Sequence, residues 1–241
     1  MFEYQPGIIA TLDLDDLEQA RRIAEEITDM KKEIAGLKIG SLLSWKHSLP
    51  KVVEMLKEVC DFPLIFDAQK AGTDIPDMVR RQVKMVADSG VDSFIAAPQG
   101  AGETTLAAFV DACNEYKIVP IVVVEMTHPG FYAYLLRDAG ERILEKSIEL
   151  GVSNFVAPAN KPERLNAYKS IAHKKGEEIR IFTPGVGPQG GSPGAAVEAG
   201  ADFVIVGRSI YLAEEARAEV RQIYRQIYNL IDKPYTYRSR V

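Results

Sequence analysis

Residues 179–211 read IRIFTPGVGPQGGSPGAAVEAGADFVIVGRSIY. The stretch opens on an apolar run, Ile179–Thr183. It passes into Thr183-Pro184-Gly185-Val186-Gly187-Pro188-Gln189-Gly190-Gly191, then a short helical pattern, Pro193–Ala199. A second apolar run, Phe203–Val206, ends on Gly207-Arg208, where another helical pattern begins. Strand, loop, helix, strand is the unit of a parallel sheet, because a parallel return needs a crossover. Glycines crowded after the first strand let the backbone approach a ligand and free N–H groups to point at it. Glycine and a guanidinium at a helix start suit an anion. The two loops together read as a phosphate site. A dinucleotide fingerprint is a poorer reading, because no acidic residue ends a strand some 20 positions later.

The same alternation extends to the N-terminus. Apolar runs occur at Ile8–Asp13, Gly36–Ile39, Leu64–Asp67, Ser93–Ala97, Ile118–Val124 and Asn154–Ala157, which with the two above makes eight. Helical patterns lie between and after them: Asp15–Ile27, Leu49–Val59, Ile75–Asp88, Thr104–Glu115, Tyr132–Leu150, Pro162–Lys174 and Ile210–Leu230. Asp15, Ser48 and Lys161 stand at helix starts, and Gly90, Gly151 and Gly200 at helix ends. Near-continuous apolar strands mean a parallel sheet covered by helices. Eight units without a composition break predict an α/β fold, a single (β/α)8 TIM barrel over residues 1–241, close to the usual length of about 250. The tail, residues 232–241, reads as a surface extension.

Composition narrows the function. Net charge is −5, with 46% hydrophobic and 26% charged residues, so neither a nucleic-acid nor an anionic-membrane surface is expected. No apolar run is long enough to span a bilayer and no signal peptide is visible. Cys60 and Cys113 have no metal-ligand spacing and read as buried thiols of a cytoplasmic protein. The three histidines are scattered: His47 and His173 read as surface residues, and His128 as site-lining or structural. No metal site is expected from them.

In a barrel, chemistry sits where strands feed the loops of the C-terminal face. Charges gather there. Asp13 ends the first strand, Lys38 lies late in the second, Asp67 ends the third, and Lys70 and Asp74 follow it. Glu125 and Thr127 follow the fifth. Charge at the mouth of an apolar barrel is costly unless paired, and alternating Lys and Asp would pair it. Glu125 alone reads equally well as a structural group. Trp45, on the loop after the second strand, reads as a cover for the mouth or a dimer surface.

LDLDD, LKIG, DAQKAGTDIP, EMTHPG, VAPANKPERL, TPGVGPQGG and VGRSIY follow one another in a fixed order. In this the chain resembles the orotidine 5′-monophosphate decarboxylase family, over about residues 8–211, and most closely its compact archaeal form. The resemblance implies a carbon–carbon lyase of pyrimidine (UMP) biosynthesis, with no cofactor and no metal, acting as a homodimer. It implies that Lys38, Asp67, Lys70 and Asp74 form a charged tetrad, with Asp74 supplied by the neighbouring subunit. Asp13 would contact the ribose, Thr127 the pyrimidine amide, and Gln189, Gly207 and Arg208 the phosphate, with Pro184 and Val186 beside the base. The family's usual Asp-x-Lys-x-x-Asp is here Asp67-Ala-Gln-Lys70-Ala-Gly-Thr-Asp74, longer by one residue in each gap. Either a bulge restores the geometry or the tetrad differs. Met78 replaces a frequent threonine, and the loop carrying Trp45 is longer. Two other readings stay open. One is a Mg2+-dependent sugar-phosphate enzyme of the same superfamily, either a keto-gulonate-phosphate decarboxylase or a hexulose-phosphate synthase. The other is a non-catalytic nucleotide-phosphate binder.

Overall fold

The eight apolar runs form eight parallel strands in a computed structural model that describes residues 6–68, 73–187 and 190–231. They are β1 (Gly7–Leu12), β2 (Ile34–Ile39), β3 (Leu64–Asp67), β4 (Ser93–Ala96), β5 (Val119–Val123), β6 (Asn154–Val156), β7 (Arg180–Thr183) and β8 (Phe203–Val206). They close into a barrel in chain order, β1 pairing with β8. Alternation explains why each run is apolar throughout. In β1, Ile9 faces inward, while Ile8, Ala10 and Leu12 face the helices. Ile65, Ile95, Ile121, Phe182 and Phe203 join Ile9 in filling the barrel, so it is a packed core and not a pore. Cys60 and Cys113 are buried and free, and burial pushes the Cys113 thiol up to about 12, which leaves it inert.

The outer layer holds α1 (Leu17–Ile27), α2 (Ser41–His47), α3 (Leu49–Val59), α4 (Pro76–Asp88), α5 (Gly102–Glu115), α6 (Ala139–Glu149), α7 (Pro162–Lys174), α8 (Pro193–Glu198), α9 (Arg208–Tyr211) and α10 (Ala216–Ile231). Each long helix turns an apolar stripe inward. In α1 the stripe is Ala20, Ile23, Ala24 and Ile27. Gly90, Gly151 and Gly200 follow α4, α6 and α8 with φ of 87°, 85° and 104°, the left-handed conformation expected where a helix ends.

Four local expectations are corrected. Asp16, not Asp15, caps α1, accepting hydrogen bonds from the N–H groups of Glu18 and Gln19. Asp15 pairs with Lys46 on the surface instead. Trp45 lies on α2 rather than on a loop, 76% exposed, and is not part of the cavity lining. That helix has no capping side chain and buries only Ser41 and Leu43, too little pattern to read. The helix expected from Tyr132 begins at Ala139; before it Pro129–Tyr132 make a 3-10 turn. The last helix is two: α9 packs on β1 at the mouth, and α10 packs on α1 and α8. Ser48 and Lys161 precede their helices as expected but make no cap bond. The tail, residues 232–241, lies outside the described residues.

Candidate active site

Inward alternation brings the ends of β1, β2 and β3 together at the mouth. Lys38 Nζ donates to Asp13 Oδ1 at 3.0 Å and to Asp67 Oδ2 at 2.9 Å. The lysine is 4% exposed. Burial alone would lower its pKa, but attraction from Asp67 and Asp13 outweighs this, and the net shift is upward. The ammonium therefore stays charged at neutral pH. Gly40, at the end of LKIG, makes the contact possible, because a Cβ there would occupy the space of the Asp13 carboxylate.

The rim on the other side of β1 is built by the loops after β7 and β8, β8 being paired with β1. Gly187 and Gly190 have φ of 71° and 91°, which side chains other than glycine rarely adopt. The loop folds on itself: Gly191 N–H donates to the Gly185 carbonyl, Gly187 N–H to the Gly191 carbonyl and Gly190 N–H to the Gly187 carbonyl. The expectation of free N–H groups here is thus corrected for these three glycines. From this rim the cavity is lined by Pro184, Gly185 and Val186 of the first loop and by Gly207, the exposed Arg208 and Ser209 of the second. Arg208 makes no ion pair among the described residues.

A second charged cluster meets the same cavity through Glu125, which is part of its lining. Glu125, 1% exposed, accepts from Lys161 Nζ at 2.7 Å, Arg164 Nε at 2.6 Å and Tyr168 Oη at 2.7 Å. Arg164 also donates to Glu141 at 2.6 Å and to the hydroxyls of Tyr132 and Tyr168. Burial alone would raise the Glu125 pKa, but the bonds from Lys161, Tyr168 and Arg164 bring it below the usual carboxylate range. Burial and Glu125 push the Tyr168 phenol well up, so it remains a donor. Three donors on two oxygens leave Glu125 little capacity for a substrate. Of its two open readings, the structural one fits. Lys161, Arg164, Tyr168 and Glu141 were not singled out in the sequence. The signal available was Lys161 and Arg164, three apart at the start of a helix, facing a carboxylate that ends a strand.

Of the expected site residues, Asp13, Lys38, Asp67, Thr127, Pro184, Val186, Gly207 and Arg208 line one cavity. Lys70 and Gln189 lie outside the described residues. Asp74 is exposed and does not line the cavity of its own chain; its Oδ1 accepts from Ile75 N–H. His128 is exposed and meets Phe131 edge-on, away from the cavity lining. His173 is exposed, and His47 bonds the Asp15 carbonyl. Among the described residues, no group of three or more His, Cys, Asp or Glu side chains is placed to hold a metal, and no helix is long and apolar enough to cross a membrane.

Fold and site define a (β/α)8-barrel enzyme whose charges converge on the C-terminal mouth. The chain belongs to the orotidine 5′-phosphate decarboxylase / HUMPS family, whose model matches residues 6–223. It is 37% identical to the orotidine 5′-phosphate decarboxylase of Methanosarcina barkeri over 227 residues, 93% of this chain and 96% of that one. It is 36% identical to the enzyme of that name from Thermococcus kodakarensis, covering 93% and 98%. Among solved structures it is similar to orotidine 5′-monophosphate decarboxylase of Methanocaldococcus jannaschii, complexed with the inhibitor BMP. There the TM-score is 0.81 and identity 29%, over 92% of this chain and 99% of that one. The Pyrococcus horikoshii enzyme gives 0.78 and 31%, covering 92% and 99%.

Proposed function

We propose that the protein decarboxylates orotidine 5′-monophosphate to UMP, with no metal and no organic cofactor. The observation that carries this reading is the Lys38 ammonium clamped between Asp13 and Asp67, across one cavity from Gly207-Arg208. Arg208, Gly207 and Gln189 hold the phosphate. Asp13 takes the ribose hydroxyls, Thr127 the pyrimidine amide, and Pro184 and Val186 border the base.

In the reaction the bond between C6 and the carboxylate breaks. Its electron pair stays on C6 and CO2 departs. The Lys70 ammonium stabilises that charge and delivers its proton to C6, and the amine regains a proton from water. Asp67 and Asp74 orient Lys70, and Lys38 fixes Asp67. Phosphate binding, remote from C6, supplies energy for positioning.

The active form is a homodimer in which Asp74 enters the neighbour's site. Its absence from its own chain's cavity supports this, as do the exposed apolar neighbours Ile75 and Met78, which a second copy would cover. We place the enzyme in the cytoplasm, where the nucleotide is made and where Cys60 and Cys113 stay reduced.

The Mg2+-dependent reading is disfavoured by the same clamp, because a divalent ion would compete with Lys38 for both carboxylates. Turnover of orotidine 5′-monophosphate, followed by absorbance, should be undiminished by excess chelator. Activity that vanishes on chelation and returns with Mg2+, or turnover of a sugar phosphate alone, would overturn the proposal. UMP binding without CO2 release would leave only the non-catalytic binder.

A further inference from the structure

One hydroxyl on the barrel strands, that of Thr11, has no partner among the described residues. Thr11 lies on β1, paired in register with Lys38 of β2. It is 4% exposed and lines the same cavity as Asp13, Lys38 and Gly207. Its Oγ1 is buried and finds no hydrogen-bond partner among the described residues. Such a group costs stability in the empty protein and needs a cause. Its methyl is turned toward the phosphate rim: a Cβ on Gly207 would lie 2.8 Å from Thr11 Cγ2. Bare Gly207 thus keeps open the space between Arg208 and the Asp13–Lys38 pair. A nucleotide with its phosphate on Arg208 and its ring near Lys38 must carry its sugar through that space.

We infer that Thr11 is a substrate-positioning residue whose hydroxyl hydrogen-bonds a sugar oxygen of the bound nucleotide. A staggered step about χ1 exchanges the hydroxyl with the methyl that faces Gly207. The hydroxyl, which has no protein partner among the described residues, gains one when the sugar is in place, so the bond favours the loaded enzyme. The inference rests on the nucleotide reading proposed above.

The test compares Thr11→Val, which keeps the shape and removes the hydroxyl, with Thr11→Ser, which keeps the hydroxyl. Valine should raise KM for orotidine 5′-monophosphate and Kd for ribose 5-phosphate about tenfold, the weight of one hydrogen bond, with a smaller change in kcat. Its unliganded melting temperature should be unchanged or higher. Serine should restore both affinities. A structural filler would give the reverse, with lower melting temperature and unaltered KM and Kd. Unchanged affinities in Thr11→Val, a serine variant as weak as valine, or no binding of ribose 5-phosphate by the wild type would overturn the inference. If the wild type binds ribose 5-phosphate but does not turn over the nucleotide, the nucleotide reading alone fails. The sugar-phosphate affinities then still decide Thr11.

Discussion

Two buried ionic clusters share this barrel mouth, and they differ in how far their carboxylates are exposed. In the first, Lys38 sits between Asp13 and Asp67, whose side chains keep 25% and 19% exposure and line the cavity. In the second, Glu125 spends both oxygens on Lys161, Arg164 and Tyr168, and its side chain is 1% exposed. The first joins three neighbouring strands, and its carboxylates still face the ligand space. The second ties the end of β5 to α7, and through Arg164 to Glu141 of α6. Similar charges at similar depth thus serve different ends. A cluster whose carboxylates open onto a cavity can do chemistry, and a saturated one fixes the frame around it.

Exchanging the central charge of each cluster should separate the two roles. Lys38→Met should lower kcat/KM by about a thousandfold, the scale of losing a preorganised charge at a reacting centre. Steady-state kinetics on folded protein checks this. Glu125→Gln should instead cost about 3 kcal/mol of stability, because it takes the charge from a buried carboxylate that pairs the partly buried Lys161 and Arg164. Urea unfolding measures that loss, and kcat should change by less than about tenfold while the protein stays folded. A catalytic collapse in Glu125→Gln without loss of stability would erase the contrast. Arg208→Ala, on the loop after β8, should raise KM by about 2 kcal/mol of lost charge-assisted bonding and spare kcat comparatively.

The two clusters should also divide the pH axis. Glu125 has a depressed pKa, so its stabilisation is present above the unfolded value near 4.5 and is lost as pH falls through the folded one. Lys38 has a raised pKa, so its stabilisation is present below the unfolded value near 10.5 and is lost as pH rises through the folded one. Denaturation midpoints against pH should lose part of their acid slope in Glu125→Gln and part of their alkaline slope in Lys38→Met. These are the smallest effects expected.

The shared site yields a sharper mixing test. Lys70→Ala and Asp74→Ala should each be inactive. Equal mixing with subunit exchange should restore up to about a quarter of wild-type turnover, because each hybrid dimer regains one intact site. No recovery in exchanged dimers would place Asp74 outside the partner's site.

The same contrast explains what could be read from the sequence. Strand ends were legible because a charge closing a β-branched apolar run stands out, as with Asp67 after Leu64–Phe66. The Asp13–Lys38–Asp67 clamp could therefore be anticipated from residues 25 and 29 positions apart. The start of β2 was read two residues late, because Ile34-Ala35 precedes a glycine, which weakens a strand pattern. The Glu125 cluster was not legible: its partners come from the start and the buried face of α7, up to 43 residues away, and helical periodicity does not say which strand end they meet. Thr11 was hidden for another reason. A threonine inside an apolar strand looks like ordinary β-sheet filling, and only the packed barrel reveals that its hydroxyl has no partner among the described residues.

The most direct test of the chemistry is to let the wild-type protein act on orotidine 5′-monophosphate in D2O with excess chelator and to examine the UMP formed. A proton delivered to a carbanion at C6 should leave one deuteron at C6 for each CO2 released, at a rate independent of chelator. UMP that forms only when Mg2+ is returned, or no UMP at all, would contradict the assignment of this mouth to metal-free decarboxylation.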